Sequence, residues 1–311
     1  MSKFSKWRKH PIREFSLWLW QRRWNNHTNI TAEYNQLLLS TFQDIAKTRP
    51  LPCNPEAGVE LHSLMGHYHL NMYLTAVKSL LRFTNNVAVV AHDGDGDLTE
   101  ADRQLLRTQI PGIRIIERAE ANQRLQPILQ PYPRCQAYRN KIVNALELLD
   151  HTLLAQKQRI VTMNSDVLFL QRPQELVEWI NSDSTRIIYT YETQPAQQQA
   201  FLQESGAAFP PHVTLALACF CKDIMNLKRV EERLRSSRIL QKHLWPAGQN
   251  LLPLLFDDNR ARYSFSNFDP ATFDSSGVFR DGAIFRHYWS SVGTLTTIHA
   301  SDAKRIMAEI G

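Results

Sequence analysis

Between residues 59 and 170 the chain alternates short apolar runs with stretches in which apolar residues recur every three or four positions. The first pattern predicts strands and the second helices. Strands are expected at 59–64, 86–91 and 113–116. The second contains Val87-Ala88-Val89-Val90-Ala91, apolar throughout, as a strand covered on both faces requires. Helices are expected at 71–83, with Met72, Leu74, Val77, Leu80 and Leu81 on its apolar side, and at 99–108. The latter opens on Thr99-Glu100-Ala101-Asp102, a capping-box-like start. A long helix is expected over 138–154. Upstream, 32–46 reads as a helix with Thr31 as its N-cap, and 47–58, holding Pro50, Pro52 and Pro55, as a linker. Downstream the pattern is less regular: strands at 187–191 and 215–221, helices at 223–236 and 249–256, irregular segments at 260–268 and 283–289, and a last helix at 301–310. This alternation predicts an α/β fold with a doubly wound, mainly parallel sheet and helices on both faces. The expected organisation is 1–58 as arm, helix and linker, and 59–311 as the functional domain.

One apolar run breaks the rule. Val161-Thr162-Met163-Asn164-Ser165-Asp166-Val167-Leu168-Phe169-Leu170 starts as a buried strand, runs into acid and resumes as apolar chain. A carboxylate inside such a run is costly to bury without a cation or a set of hydrogen-bond donors. At the C-terminal end of an α/β strand it lies where open sheets bind ligands. Asp166 can hold a hard divalent cation such as Mg²⁺ or Mn²⁺ through oxygen, with Asn164 a neutral second ligand.

Charge changes the picture at one end. The net charge is +6, and residues 1–28 carry seven basic side chains against Glu14 alone, so the rest of the chain balances. Trp7, Trp18, Trp20 and Trp24 fall in the same segment. Three readings stay open: a helix packing its tryptophans on the domain, an arm lying on an anionic membrane surface, or weak contact with a nucleic-acid backbone, the least favoured. No apolar run is long enough to span a membrane, and no signal peptide is expected, which suits a cytoplasmic chain, peripheral on the inner face of a membrane if the arm binds there. The cysteines (Cys53, Cys135, Cys219, Cys221) are expected to be buried thiols, with Cys219 and Cys221 on opposite faces of their strand.

Taken in order, these segments resemble the GT-A-fold glycosyltransferases, which use nucleotide-sugar donors. The Asn164-Ser165-Asp166 triplet is similar to their Asp-x-Asp motif, whose carboxylates hold a divalent metal against the donor diphosphate. Glu60-Leu61-His62-Ser63-Leu64-Met65 and the following helix resemble their first βα unit, and Val90-Ala91-His92-Asp93-Gly94-Asp95 their second strand and its acidic turn. Tyr138-Arg139-Asn140-Lys141 falls where the family carries basic residues facing the diphosphate, and Phe285-Arg286-His287-Tyr288-Trp289 resembles a late histidine element. The resemblance implies a GT-A-like mixed sheet, a nucleotide-sugar donor, and Mn²⁺ or Mg²⁺ as cofactor. By residue it implies Asp166 as catalytic anchor and metal ligand, with Asn164 and His287 completing the metal set. It implies Arg139 or Lys141 on the diphosphate, His62 near the base and Asp93 at the donor edge. Arg139 and Lys141 are two apart, so on a helix only one can face a given ligand.

The chain departs from that pattern at three acids, with Asn164, Asn144 and Gly248 in their places. A sugar transferase with an unidentified acceptor is therefore weighed against a non-catalytic binding protein on the same fold. Asp93-Gly94-Asp95-Gly96-Asp97 is no EF-hand, since Leu98 and Gln104 stand where that loop needs Gly and Glu. There is no Walker A loop, GxGxxG after the first strand or GxSxG elbow, which disfavours NTPases, dinucleotide oxidoreductases and α/β-hydrolases.

Overall fold

The computed structural model describes residues 28–191, 213–236, 247–275, 279–288 and 295–311. The tryptophan-rich arm and Trp289 lie outside them, and around Gly248 only the backbone is described. Among the described residues, ten strands form two sheets. The larger takes β1 (Val59–Met65), β2 (Ala88–Asp93), β3 (Arg114–Ile116), β4 (Arg159–Met163), β6 (Ile187–Tyr191), β7 (Val213–Cys221) and β8 (Phe265–Asn267) in the order β3-β2-β1-β4-β7-β6-β8. Strands β3, β2, β1 and β4 run parallel, β7 is antiparallel to β4 and β6, and β8 runs parallel to β6. The smaller sheet sets β10 (Phe285–His287) between β5 (Val167–Phe169) and β9 (Phe273–Asp274).

The described helices are α1 (Thr28–Thr41), α2 (Leu70–Leu81), α3 (Glu100–Gln109), α4 (Arg118–Leu129), α5 (Pro133–Lys141), α6 (Asn144–Leu153), α7 (Gln174–Asn181), α8 (Leu227–Ser236), α9 (Ala247–Asp258) and α10 (Ala300–Ile310). They cover both faces of the larger sheet, and strand alternation splits the core in two. Leu61, Val89, Val161 and Leu217 face one side, with α2 and α10. Val90, Ile160, Ala218 and Phe220 face the other, with α4, α6 and α9. Thr99 caps α3 as its spacing predicts: its side chain accepts from the Asp102 amide, and the Asp102 carboxylate accepts from the Thr99 amide.

Four expectations need correction. The helix expected over 138–154 is two, because Ile142 is extended and ends α5. Helix α4 was not anticipated: it buries only Ala121, Leu125 and Leu129, a one-residue-wide stripe, and contains Pro127. Residues 28–58, expected as a helix and a linker ahead of the domain, pack into it: Leu38, Phe42 and Ile45 are fully buried in the first core half. The Leu51, Cys53 and Asn54 amides donate to the Gln109, Pro111 and Val87 carbonyls. Finally, Cys219 and Cys221 are two apart in β7 and so share one face; both are buried free thiols.

Beneath α6 the second core half holds a polar island. Glu60 and His62 of β1, His92 of β2, Thr162 of β4 and His151 of α6 are all buried. Glu60 Oε2 is 3.2 Å from His62 Nε2, and His62 Nδ1 is 2.8 Å from His92 Nε2. A carboxylate only accepts, so His62 carries its proton on Nε2 and accepts on Nδ1 from His92. His151 Nδ1 meets the Thr162 hydroxyl at 2.8 Å, and its ring lies 4.6 Å from that of His92. Burial would raise the Glu60 carboxyl, but His62, the Lys157 amide and Arg114 hold it at about 2. Burial pushes all three imidazoles below their usual 6.5.

This island predicts how stability responds to acid. The unfolded chain takes up protons on these rings near pH 6.5, whereas the folded chain does so only at lower pH. Between those limits the unfolded state binds more protons, so stability must fall as pH drops below about 6.5. Glu147 of α6 acts oppositely. Burial, and then the Asp166 charge, push its carboxyl from 4.5 up to about 8. The folded state therefore holds the extra proton in that window, and stability falls as pH rises through it. The melting temperature is expected to peak between about pH 6 and 7. Glu147→Gln should raise stability at pH 8.5, by on the order of 2 kcal/mol because the side chain is partly solvated, and leave it unchanged at pH 5. Equal melting of parent and variant at pH 8.5 would show the carboxyl to be ionised without penalty.

Candidate active site

The interrupted run has a structural cause. After Met163 the chain leaves the larger sheet, and at Val167 it enters the smaller one. Asn164, Ser165 and Asp166 form the crossing between them, at the C-terminal edge of the parallel strands. The Asn164 amide still donates to the Ala216 carbonyl of β7 at 3.1 Å. The Asp166 carbonyl already accepts from the Tyr288 amide at 2.9 Å, at the end of β10. Antiparallel pairing of His287 with Val167 then fixes the histidine beside the acid. His287 Nε2 lies 3.3 Å from Asp166 Oδ1, with side chains 7% and 16% exposed. Two residues 121 positions apart in sequence thus meet because β5 and β10 are neighbours.

The neighbours of His287 are tied to α10. Arg286 donates to Asp302 at 2.7 Å, and the Tyr288 hydroxyl donates to the same oxygen at 2.8 Å. The buried His299 ring stacks on Tyr288 at 3.9 Å. Glu147 is the group the sequence reading missed. It is half-buried in α6, its Oε2 is enclosed without a hydrogen-bond partner, and it feels the charges of Asp166 and His287. Asn144 lies one turn before it, half-buried, and that spacing was the only available signal.

Of the other expected site residues, Asp93 stands at the C-terminal end of β2, on the ligand edge, and each has its own surroundings. His62 is fully buried in the polar island and has no exposed edge for a base. Asp93 is 3% exposed, and its Oδ1 accepts the Gly96 amide at 2.8 Å, closing the turn in which Gly96 takes φ +74°. Arg139 is 4% exposed and bound bidentately to Asp150 of α6, Nε at 2.6 Å and Nη2 at 2.7 Å, while Nη1 reaches Asn122 at 2.7 Å. It is half of a buried ion pair. Lys141, on the diverging face of α5, is exposed, as the two-residue spacing requires.

Among the described residues, no three His, Cys, Asp or Glu side chains converge as a metal cage. Asp166 and His287 do stand at the separation of adjacent ligands on one ion, and an oxygen-nitrogen pair suits Mn²⁺. The set fits a cation whose remaining ligands come from a bound molecule, and does not fit a closed structural site. No described helix is long and apolar enough to cross a membrane.

No family model matches the chain, and no curated protein matches it in sequence. Solved structures do. The galactosyltransferase LgtC, in complex with donor and acceptor sugar analogues, is 12% identical with a TM-score of 0.52, covering 80% of this chain and 95% of its own. The Saccharomyces cerevisiae mannosyltransferase Ktr4p with GDP is 10% identical with a TM-score of 0.46, covering 75% and 78%. Mouse xyloside xylosyltransferase 1 is 17% identical with a TM-score of 0.42, covering 74% and 97%. Of these, LgtC has the likeness in fold that carries weight. The chain therefore has the GT-A fold of the glycosyltransferases.

Proposed function

We propose that this chain transfers a sugar from a nucleotide-diphosphate donor to an acceptor. The observation that carries this reading is the 3.3 Å approach of Asp166 to His287 on the turn between the two sheets. That turn lies at the edge where α/β sheets bind ligands. In this reading Asp166 and His287 hold a divalent cation, with Asn164 as a weak third donor. A cation there would offset the charge developing on the departing diphosphate. Lys141, exposed at the end of α5, is assigned to the diphosphate in preference to the ion-paired Arg139. The complex of LgtC with donor and acceptor sugar analogues supports the same class of ligand.

The test is thermal stability with UDP, GDP, ADP and CMP, each with and without Mn²⁺. A ligand of the native state must raise the melting temperature. A shift that needs both nucleotide and Mn²⁺ is expected, and it names the donor base. Absence of any shift would favour a non-catalytic protein on the same fold, the reading that the neutral Asn164, Asn144 and Gly248 motivate.

Asn164 offers a sharper test. A second carboxylate about 4 Å from a divalent ion contributes on the order of 1–3 kcal/mol at a partly solvated site. Asn164→Asp is therefore expected to tighten Mn²⁺ roughly tenfold in the presence of nucleotide, read by electron paramagnetic resonance titration. Unchanged affinity would place the ion elsewhere.

A further inference from the structure

An open cleft of about 310 Å³ lies between the consecutive helices α4 and α5. Asn122, Gln123 and Gln126 line it from α4, and Gln136 and Asn140 from α5, over the buried Leu125 and Leu129. A second depression of about 290 Å³ shares Gln126 and Gln136 and continues past Pro127 to Gln130. The amides repeat at helical spacing: Asn122, Gln126 and Gln130 at four-residue intervals, and Gln136 and Asn140 likewise. Among the described residues, only Asn122 is engaged, by Arg139; the other five side-chain amides have no partner within the chain.

The one charged side chain that lines the cleft is cancelled. Arg139, at the floor, is neutralised by Asp150. Glu120 pairs with Arg124 at 3.0 Å, and Arg134 with Glu231 at 3.3 Å. A cleft for an anion would keep a cation open, and a cleft for a hydrocarbon would not be rimmed with amides. A carboxamide presents two donors and an acceptor in one plane, which matches vicinal hydroxyls that both give and accept. Leu125 and Leu129 are buried beneath the cleft, so a sugar ring would rest on the aliphatic stems of the glutamines that line it. Helix α4 follows β3 directly, so its first residues stand at the C-terminal end of a parallel strand.

We propose that this cleft binds a neutral oligosaccharide chain, at a subsite separate from the Asp166 turn. Binding here does not require transfer at Asp166, so the two readings fail independently.

The test is saturation-transfer NMR and calorimetry on the full chain with maltohexaose, cellohexaose, mannohexaose and chitohexaose, and a heparin hexasaccharide as anionic control. At least one neutral probe is expected to bind. The double variant Gln126→Leu, Gln136→Leu removes two exposed amides and leaves the Arg139–Asp150 pair intact. It should weaken that probe at least tenfold, as the loss of two hydrogen bonds implies. Its melting temperature and its nucleotide–Mn²⁺ response should stay at parent values. Silence from every neutral probe, preference for the anionic control, or undiminished binding by the double variant would each overturn the proposal.

Discussion

Asp166→Ala is expected to abolish both the Mn²⁺-dependent nucleotide shift and sugar transfer, while the protein melts within a few degrees of the parent. The two effects separate because the residue does two jobs with different atoms. Its carbonyl holds the Tyr288 amide at 2.9 Å and so joins the turn to β10, and alanine keeps that bond. Its carboxylate makes the 3.3 Å approach to His287, and alanine leaves only an imidazole and a neutral amide for a cation. Removing one charge-stabilising group from such a site costs on the order of 10²–10³ in turnover. Loss of the ion with it takes the expected deficit to about 10³ or more, near 4 kcal/mol. The measurement is transfer and donor hydrolysis with the nucleotide sugar that the thermal shifts identify, alongside circular dichroism. Activity within tenfold of the parent would remove Asp166 from the site.

Asp150→Ala is expected to give the largest stability loss of any single change outside the apolar core. Arg139 and Asp150 have side chains 4% exposed and are joined by two short bonds. Burial pushes the Asp150 carboxyl up despite the opposing pull of Arg139. Removing one partner leaves the other charge buried without compensation. Such half-deletions cost about 3–5 kcal/mol. Given an expected 2–4 °C per kcal/mol for larger domains, the melting temperature should fall by roughly 10 °C. The double change Arg139→Met, Asp150→Leu should recover most of it, since no charge is left behind. A loss below about 1 kcal/mol for Asp150→Ala would mean that water reaches the guanidinium. The alanine variant would also leave a bare cation under the amide cleft, where it should favour the anionic control oligosaccharide.

Much of the fold is legible in the chain. The all-apolar run 87–91 could only be a doubly covered strand, and it became β2. Thr99 and Asp102 announced the start of α3. Helix α4 was illegible because its buried stripe is a single residue wide and Pro127 interrupts its pattern. The break at Ile142 was hidden for the converse reason: apolar periodicity runs on through 142–149, and only the backbone of Ile142 departs from it.

The site divides in the same way. The sequence by itself determined that an acid would stand at the end of a buried strand, because Asp166 interrupts an apolar run. It determined also that Arg139 and Lys141 could not share a target, because residues two apart on a helix diverge. Only the tertiary structure decided which groups meet. His287 reached Asp166 through the pairing of β5 with β10, a contact with no local signal. Glu147 joined them through the packing of α6 over the sheet, while His62 and Arg139 were drawn into buried networks by His92 and Asp150 on neighbouring elements, and Asp93 was taken up by its own turn. A local pattern fixes which face of an element a residue occupies, whereas its chemistry depends on what that face is pressed against, and that is settled by long-range strand pairing and helix packing.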